Sequence, residues 1–262
     1  MGILNVTPDS FYDGGIFLSR ERALQHARRM VEEGVDIIDV GGESTRPGET
    51  AVSVAQELDR VVPVIEWLTG ALPVIVSVDT SKPEVMSAAV AAGARMVNDV
   101  RALQADGAVE AVARLDVPVC LMHMQGDPGS MQERPRYTDV VDEVKAFLRA
   151  RIAICAAAGI ERKRILIDPG FGFGKTLEHN LALLRRLDEL KELELPVLVG
   201  LSRKSMIGTL LNIPAAERLS ASVALALIAL FEGAHIVRVH DVRATREAVR
   251  MYEAVYQDRT EL

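Results

Sequence analysis

The sequence predicts an α/β fold, a (β/α)₈ barrel of the TIM type, for the 262-residue chain. Short runs of apolar, often β-branched residues recur along it, each followed by a turn rich in Gly, Asp, Asn or Ser and then by a helix-like segment. The runs are mostly continuous rather than alternating, as in parallel strands that are covered on both faces. Barrels of this kind need about 250 residues, so we expect one domain over residues 1–262, with a doubly wound open sheet as the alternative.

Eight apolar runs are predicted to be strands. They cover residues 2–6, 36–40, 74–78, 95–98, 118–122, 164–168, 196–200 and 235–239.

The helices between them have the expected period. Residues 139–157 carry one apolar stripe opposite charged residues, and residues 177–190 are similar. A short helix is predicted over 204–211. Residues 219–231 are apolar nearly all round, which indicates either a tightly covered helix or a subunit interface, and we favour the interface of a homodimer.

Composition excludes several classes of protein. The net charge is −7 and no basic run is present, which disfavours nucleic-acid binding. The longest apolar stretch is too short to span a bilayer, so no membrane association is expected. Cys120 and Cys155 lack metal-type spacing and are expected to be buried thiols in a reducing compartment, which predicts a cytoplasmic protein.

The stretch LIDPGFGFGKT at 166–176 has glycines followed by Lys-Thr, as in a nucleotide phosphate loop. That loop requires a glycine six positions before Lys175, where Pro169 stands instead. The register fails by one residue, so this stretch is not interpreted as a nucleotide site.

Polar residues follow the predicted strands at their carboxyl ends. In a barrel these ends meet at one mouth, where such proteins place their active sites. The residues concerned include Asn5, Thr45, Arg46, Asp79, Asn98, His123, Asp168, Ser202, Lys204, Arg238 and His240.

Two groups can be distinguished by chemistry. Asp79, Asn98 and Asp168, with Lys204 as counter-charge, suit a flat heterocycle that carries several N–H groups; the alternative is a structural ion-pair network inside the barrel. The second group suits a phosphate and Mg²⁺, with Asn5 as the oxygen ligand of the metal. Its members are Asn5, Thr45, Arg46, Arg238 and His240. For Arg238 the alternative is a salt bridge to Asp241.

Other residues carry weaker signals. Ser202 is expected at the start of the helix that follows, where an anion can bind to the helix amides; the alternative, a plain helix N-cap, is compatible with this role. Phe171 and Phe173 either wall a ring slot or fill space above the barrel. Glu43 is expected to be an exposed loop acid, and His123 has no partner histidine for zinc.

Seven segments, in order along the chain, resemble signatures of the dihydropteroate synthase family. They are GILNVTPDSFYDGG (2–15), GGESTRPG (41–48), SVDTSKPEV (77–85), NDV (98–100), DPGFGFGK (168–175), GLSRKS (200–205) and VRVHDV (237–242). The resemblance covers essentially the whole chain. Members usually carry residues before strand one, so Met1 inside that strand suggests a shortened N-terminus.

The resemblance implies a homodimeric barrel of folate biosynthesis that joins 4-aminobenzoate to 6-hydroxymethyl-7,8-dihydropterin diphosphate, with Mg²⁺ present, and that sulfonamides inhibit. The residues implied for the pterin are Asp79, Asn98, Met122, Asp168, Phe173 and Lys204. Those implied for the diphosphate are Asn5, Thr45, Arg46, Arg238 and His240, and Asn5 would also bind the metal. Those implied for 4-aminobenzoate are Phe11, Pro47, Lys175 and Ser202. The catalytic set would be Asp79, Asp168, Lys204, Arg238 and His240.

The residues and the resemblance together predict an SN1-like alkyl transfer without a protein nucleophile. Three alternatives stay open: a pterin-dependent methyltransferase, a lyase that forms a Schiff base on Lys204, and a catalytically silent pterin-binding homologue.

Overall fold

Strands and helices alternate along the part of the chain that the structure describes. The computed structural model describes residues 1–7, 15–44, 52–127, 129 and 131–256, and for residues 15–20 the helical backbone alone. The strands are β1 (Gly2–Asn5), β2 (Ile37–Gly41), β3 (Ile75–Asp79), β4 (Met96–Asp99), β5 (Val119–Met122), β6 (Ile165–Asp168), β7 (Leu198–Val199) and β8 (Ile236–Val237). The α-helices are α1 (Gly15–Glu32), α2 (Val54–Ala71), α3 (Pro83–Ala91), α4 (Ala108–Arg114), α5 (Val140–Ala157), α6 (Leu177–Arg185), α7 (Ser205–Leu211), α8 (Leu219–Phe231) and α9 (Val242–Tyr256).

The strands close into a barrel. β1 to β6 form one parallel sheet in sequence order, and β7 and β8 form a parallel pair. A bridge between Ile167 and Val197 joins β6 to the β7 side, and a bridge between Gly2 and Val239 joins β1 to the β8 side. The predicted (β/α)₈ barrel is therefore confirmed, and the open-sheet alternative is wrong.

The strand register aligns the residues at the carboxyl edge of the sheet. Asn5 is paired with Gly41, Gly41 with Asp79, and Asp79 with Asn98. On the other side of the barrel, Met122 is paired with Asp168. The sequence positions that were predicted to meet at one mouth thus lie at the same level of the barrel wall.

The barrel interior changes character from one end to the other. Near the amino end, Met1, Met96, Cys120 and Leu198 form a buried apolar cluster. The outward-facing strand residues and the inner helix faces form the larger core, to which Leu4, Val40, Val78 and Val97 belong. The charged residues at the carboxyl end are therefore separated from the amino end of the barrel by an apolar layer.

The predicted elements are found with boundaries shifted by one or two residues at most strands. Helix α5 begins after Asp139, whose carboxylate accepts hydrogen bonds from the amides of Val141 and Asp142. The helix predicted over 177–190 is interrupted at Arg186, and residues Leu187–Leu193 continue as a 3₁₀ helix. None of the helices within the described ranges is long and apolar enough to cross a membrane.

Candidate active site

A cavity of about 910 Å³ opens at the carboxyl ends of the strands. Ten of the site residues predicted from the sequence line it. They are Asn5, Asp79, Asn98, Met122, Asp168, Phe173, Ser202, Lys204, Arg238 and His240. The predicted acids and cations therefore face one another across a single cavity.

Arg238 joins two buried carboxylates at the floor of the cavity. Its Nε lies 2.6 Å from Oδ2 of Asp39, and its Nη2 lies 2.7 Å from Oδ2 of Asp79. Asn98 donates its side-chain amide to the same Asp39 oxygen at 2.9 Å. The prediction that Arg238 is free to clamp a phosphate needs correction, since two of its nitrogens hold acids inside the barrel and Nη1 lies outside these two ion pairs. The proposed alternative partner, Asp241, is bound by Arg203 instead, at 2.7 and 2.9 Å.

Asp79 is held in a strongly perturbed environment. Burial raises the pKa of its carboxyl above the ordinary value, the Arg238 guanidinium lowers it, and the nearby Asp39 and Asp99 carboxylates raise it. The protonation of Asp79 is therefore tied to the charges of its neighbours.

Asp168 and Lys204 form the other charged wall. Burial raises the pKa of Asp168 to about 6, although the backbone N–H of Gly170 donates to its Oδ1 at 2.7 Å. Burial also lowers the pKa of Lys204 to about 8, against the opposing effect of Asp168. The ammonium nitrogen of Lys204 lies 4.1 Å from the centre of the Phe173 ring, within the range of a cation–π contact.

His240 lies at the rim and is positioned by Ser202. The backbone N–H of His240 donates to Oγ of Ser202 at 3.2 Å, and its Nδ1 lies 3.0 Å from the same oxygen. Burial and the cations Arg238 and Arg203 lower the pKa of His240 to about 4. Helix α7 begins with Lys204 at its N-cap, so the alternative that Ser202 is a plain N-cap is wrong.

The comparisons with known proteins agree with this geometry. Residues 1–240 match the family described as pterin binding enzyme. A dihydropteroate synthase of Escherichia coli (strain K12) is 57% identical over 254 residues, which cover 97% of this chain and 90% of that protein. The chain belongs to the dihydropteroate synthase family.

Solved structures of the dihydropteroate synthase family superimpose on the whole barrel. The Yersinia pestis enzyme, solved with a sulfonamide drug complex, gives a TM-score of 0.93 at 55% identity and covers 97% of this chain and 93% of its own. The Xanthomonas albilineans enzyme, solved in complex with 7,8-dihydropteroate, gives 0.90 at 52% identity and covers 98% and 93%.

The loop of the family signature DPGFGFGK bends over Asp168 because of its glycines. Gly170, Gly172 and Gly174 all have positive φ, and a Cβ on Gly170 would lie 1.9 Å from the carbonyl oxygen of His123. Lys175, predicted to shape the 4-aminobenzoate pocket, is 3% exposed and lies inside this loop rather than on the cavity wall. Its ammonium nitrogen lies 2.9 Å from Nδ1 of His123.

Glu43 is not the exposed loop acid that was expected. Lys82 forms ion pairs with both Glu43 and the fully buried Glu57, and the amide of Val52 donates to Glu43 at 3.1 Å. This cluster joins the end of β2 to helix α2.

Four predicted site residues of the family lie outside the described residues. They are Phe11, Thr45, Arg46 and Pro47.

The sequence interpretation missed Asp39, which is completely buried and bonded to both Arg238 and Asn98. Its signal was present: Asp39 is the one charged residue inside the apolar strand IIDVG of β2. An acid in such a strand must be paired, because an isolated buried carboxylate costs several kcal/mol.

Proposed function

We propose that the chain joins 4-aminobenzoate to 6-hydroxymethyl-7,8-dihydropterin diphosphate, with release of diphosphate, as a transferase of alkyl groups in folate biosynthesis. The observation that carries this proposal is the single cavity in which buried acids and buried cations lie opposite one another in a member of the dihydropteroate synthase family. The reported complex of the Xanthomonas albilineans relative with 7,8-dihydropteroate supports the same reaction.

The acids of the floor bind the pterin ring. Asp168, on the β6 edge, and Asn98, on the β4 edge, offer oxygens to ring N–H groups, while Lys204 offers N–H donors to a ring carbonyl. Met122 and Phe173 supply apolar contact on the ring faces. The raised pKa of Asp168 fits this role, because a ring N–H that donates to the carboxylate lowers that pKa and gains a charge-assisted bond.

Cleavage of the carbon–oxygen bond leaves positive charge on the pterin methylene and negative charge on the diphosphate. The positive charge on the methylene is stabilised by Asp79 and Asp168. The negative charge on the diphosphate is stabilised by Lys204, Arg238 and the imidazole N–H of His240. Fixed groups of this kind are worth about 3–4 kcal/mol each in a site that excludes water. The amine of 4-aminobenzoate then attacks the methylene, and its new C–N bond replaces the broken C–O bond. The nitrogen loses one proton to the released diphosphate, so the reaction is an SN1-like alkyl transfer in which no protein atom becomes bonded to substrate.

His240 acts as a hydrogen-bond donor in this scheme. Its low pKa keeps the free imidazole neutral at pH 7, and the contact between Nδ1 and the Ser202 hydroxyl fixes the direction of the ring. An anion beside the ring raises that pKa and strengthens the hydrogen bond that the imidazole donates.

Magnesium fits the site only together with the substrate. No group of three or more His, Cys, Asp or Glu side chains suited to a metal lies among the described residues. Asn5 Oδ1 and Asp79 Oδ2 both lie within 4 Å of the position a Gly41 Cβ would take, so an amide oxygen and a carboxylate flank Gly41 at the rim. Mg²⁺ commonly takes one or two protein oxygens plus phosphate oxygens and water, so Asn5 would hold it at the diphosphate and add charge stabilisation there.

The 4-aminobenzoate pocket includes Ser202 on the described side of the cavity. Lys175 supports this pocket through the loop carbonyls that it binds, because its side chain does not line the cavity. The sulfonamide complex of the Yersinia pestis relative supports the expectation that sulfonamides compete with 4-aminobenzoate here.

A homodimer is the proposed assembly. Helices α8 and α9 leave an apolar patch exposed, which consists of Ile228, Phe231, Met251, Val255 and Tyr256. The rings of Phe231 and Tyr256 stack edge to face at 4.9 Å, so the patch is preorganised. A patch of this type marks an interaction surface, and a second copy of the chain fits it because like apolar faces are self-complementary about a twofold axis. Sedimentation should give twice the chain mass, and Phe231→Ser should shift the measured mass toward that of a single chain.

We also propose a cytoplasmic location, where Cys120 and Cys155 stay reduced.

The test of the function is a coupled assay for diphosphate release. Release should require both the pterin diphosphate and 4-aminobenzoate, and a Mg²⁺ chelator should suppress it. Methyl transfer to a corrinoid acceptor, a borohydride-trapped adduct on Lys204, or tight pterin binding without turnover would each contradict the scheme in favour of a different one.

A further inference from the structure

Lys175 is a buried amine whose hydrogen-bond partners are all neutral, and burial lowers its pKa to about 7 against the opposing charge of Asp168. Its Nζ lies 2.9 Å from Nδ1 of His123, 2.9 Å from the carbonyl oxygen of Gly170 and 3.0 Å from that of Phe173. An ammonium group has three N–H donors, and these are three acceptors. Lys175 forms no salt bridge with a carboxylate among the described residues, although it is 3% exposed.

His123 is the side-chain partner of Lys175. With Lys175 as the donor, Nδ1 accepts and the imidazole carries its proton on Nε2, whereas the other tautomer reverses the direction. Burial and the charge of Lys175 lower the pKa of His123 to about 3, which keeps the ring neutral at neutral pH. The ring is locked edge to face against Phe147 at 5.0 Å.

The two carbonyls that Lys175 binds belong to one turn. The amide of Phe173 donates to the carbonyl of Gly170 at 3.1 Å, and Lys175 holds both carbonyls from the interior. The side chain of Phe173 leaves this turn on the cavity side, where its ring lies 4.1 Å from the ammonium of Lys204. The backbone position of Phe173 therefore depends on the contact between Lys175 and His123.

We propose that Lys175 and His123 are positioning residues that hold the Phe173 ring against Lys204 and thereby shape the slot for the pterin ring. A buried ammonium without an acid costs free energy that an apolar side chain of the same length would not, so its contribution is to geometry rather than to stability. This inference rests on the proposed function, since it names the pterin as the ligand of the slot.

The test is a double-mutant cycle read by calorimetry with 6-hydroxymethyl-7,8-dihydropterin. Lys175→Met should weaken binding about tenfold, the size of effect that loss of a supporting contact has at an active site. Because Lys175 acts through the ring, Lys175→Met should add nothing in a Phe173→Leu background. The matched control is Lys145→Met, which removes another buried lysine, one that pairs with Glu189 on the outside of the barrel; it should bind the pterin as the wild type does.

A second pair of variants keeps the inference testable if Lys175→Met does not fold. His123→Leu removes the acceptor and should weaken pterin binding as Lys175→Met does, whereas His123→Gln keeps an acceptor oxygen and should restore most of the affinity. Equal affinity of His123→Leu and wild type, or additive losses in the cycle, would overturn the positioning role alone. A wild-type protein that binds no pterin would overturn the proposed function as well.

Discussion

Two cavities lined by described residues lie at opposite ends of the barrel, and they differ in the charge of their walls. The carboxyl-end cavity has a volume of about 910 Å³ and contains buried acids and cations. The amino-end cavity has a volume of about 520 Å³, and aliphatic side chains such as Val35, Ile37, Leu230 and Val249 make up much of its wall.

The ion pair between side chains at the amino end stays in contact with water. Asp36 and Arg246 are 70% and 37% exposed and lie 3.7 Å apart, a separation at which a surface pair contributes little. At the carboxyl end, Arg238 is 19% exposed and Asp39 not at all. Burying charged groups costs free energy, and buried charges therefore cluster where they serve ligand binding or catalysis. This indicates that the carboxyl-end cavity is the functional one.

The largest expected difference between the two ends is in stability. Arg238→Met leaves Asp39 and Asp79 buried without their cation and should lower the free energy of unfolding by about 3–5 kcal/mol. Arg246→Met at the amino end should change it by less than about 1 kcal/mol. Urea denaturation of both variants checks this, and equal losses would remove the distinction.

The free energy of unfolding should depend on pH through the buried acid Asp168 at the carboxyl end. The folded pKa of Asp168, about 6, lies above its value of 3.8 in the unfolded chain, so the folded state holds the proton more tightly. Its ionisation therefore costs stability as pH rises from about 4 to about 6, by on the order of 2 kcal/mol. Asp168→Asn cannot ionise and should become more stable relative to wild type over that range, which denaturation curves at each pH would show.

Ligand affinity gives a third comparison. Asp168→Asn should weaken pterin binding by roughly 1–3 kcal/mol, because ring N–H donors lose a charged acceptor. Asp36→Asn, in the amino-end cavity, should leave the affinity unchanged. Wild-type affinity in Asp168→Asn, measured by calorimetry, would exclude this acid from the pterin site.

The smallest expected effect divides the carboxyl-end cavity itself. His240→Ala should weaken diphosphate binding by about 1 kcal/mol, the worth of one hydrogen bond. It should leave the affinity for the bare pterin within experimental error, and calorimetry with each ligand separately checks this. Equal losses for both ligands would mean that His240 does not belong to a separate diphosphate subsite.

The sequence predicted the barrel and most of the rim because strand ends carry local signals. Asp79, Asn98 and Asp168 each end an apolar run, and parallel strand ends meet in space. Partner choice was not predictable in this way: Arg238 lies nearest in sequence to Asp241, yet it binds Asp39 across the barrel, and only the closed register brings them together. The family resemblance assigned Lys175 to the 4-aminobenzoate pocket, whereas the left-handed glycines turn its side chain into the loop.

The proposed function requires that the pterin and the diphosphate bind in the same cavity, at the carboxyl ends of the strands. A crystal structure with 6-hydroxymethyl-7,8-dihydropterin diphosphate tests this most directly. The ring should lie within hydrogen-bond distance of Asp168 and Asn98, and the diphosphate should lie beside His240. A ring bound in the amino-end cavity, or a diphosphate bound away from His240 and Arg238, would contradict the account.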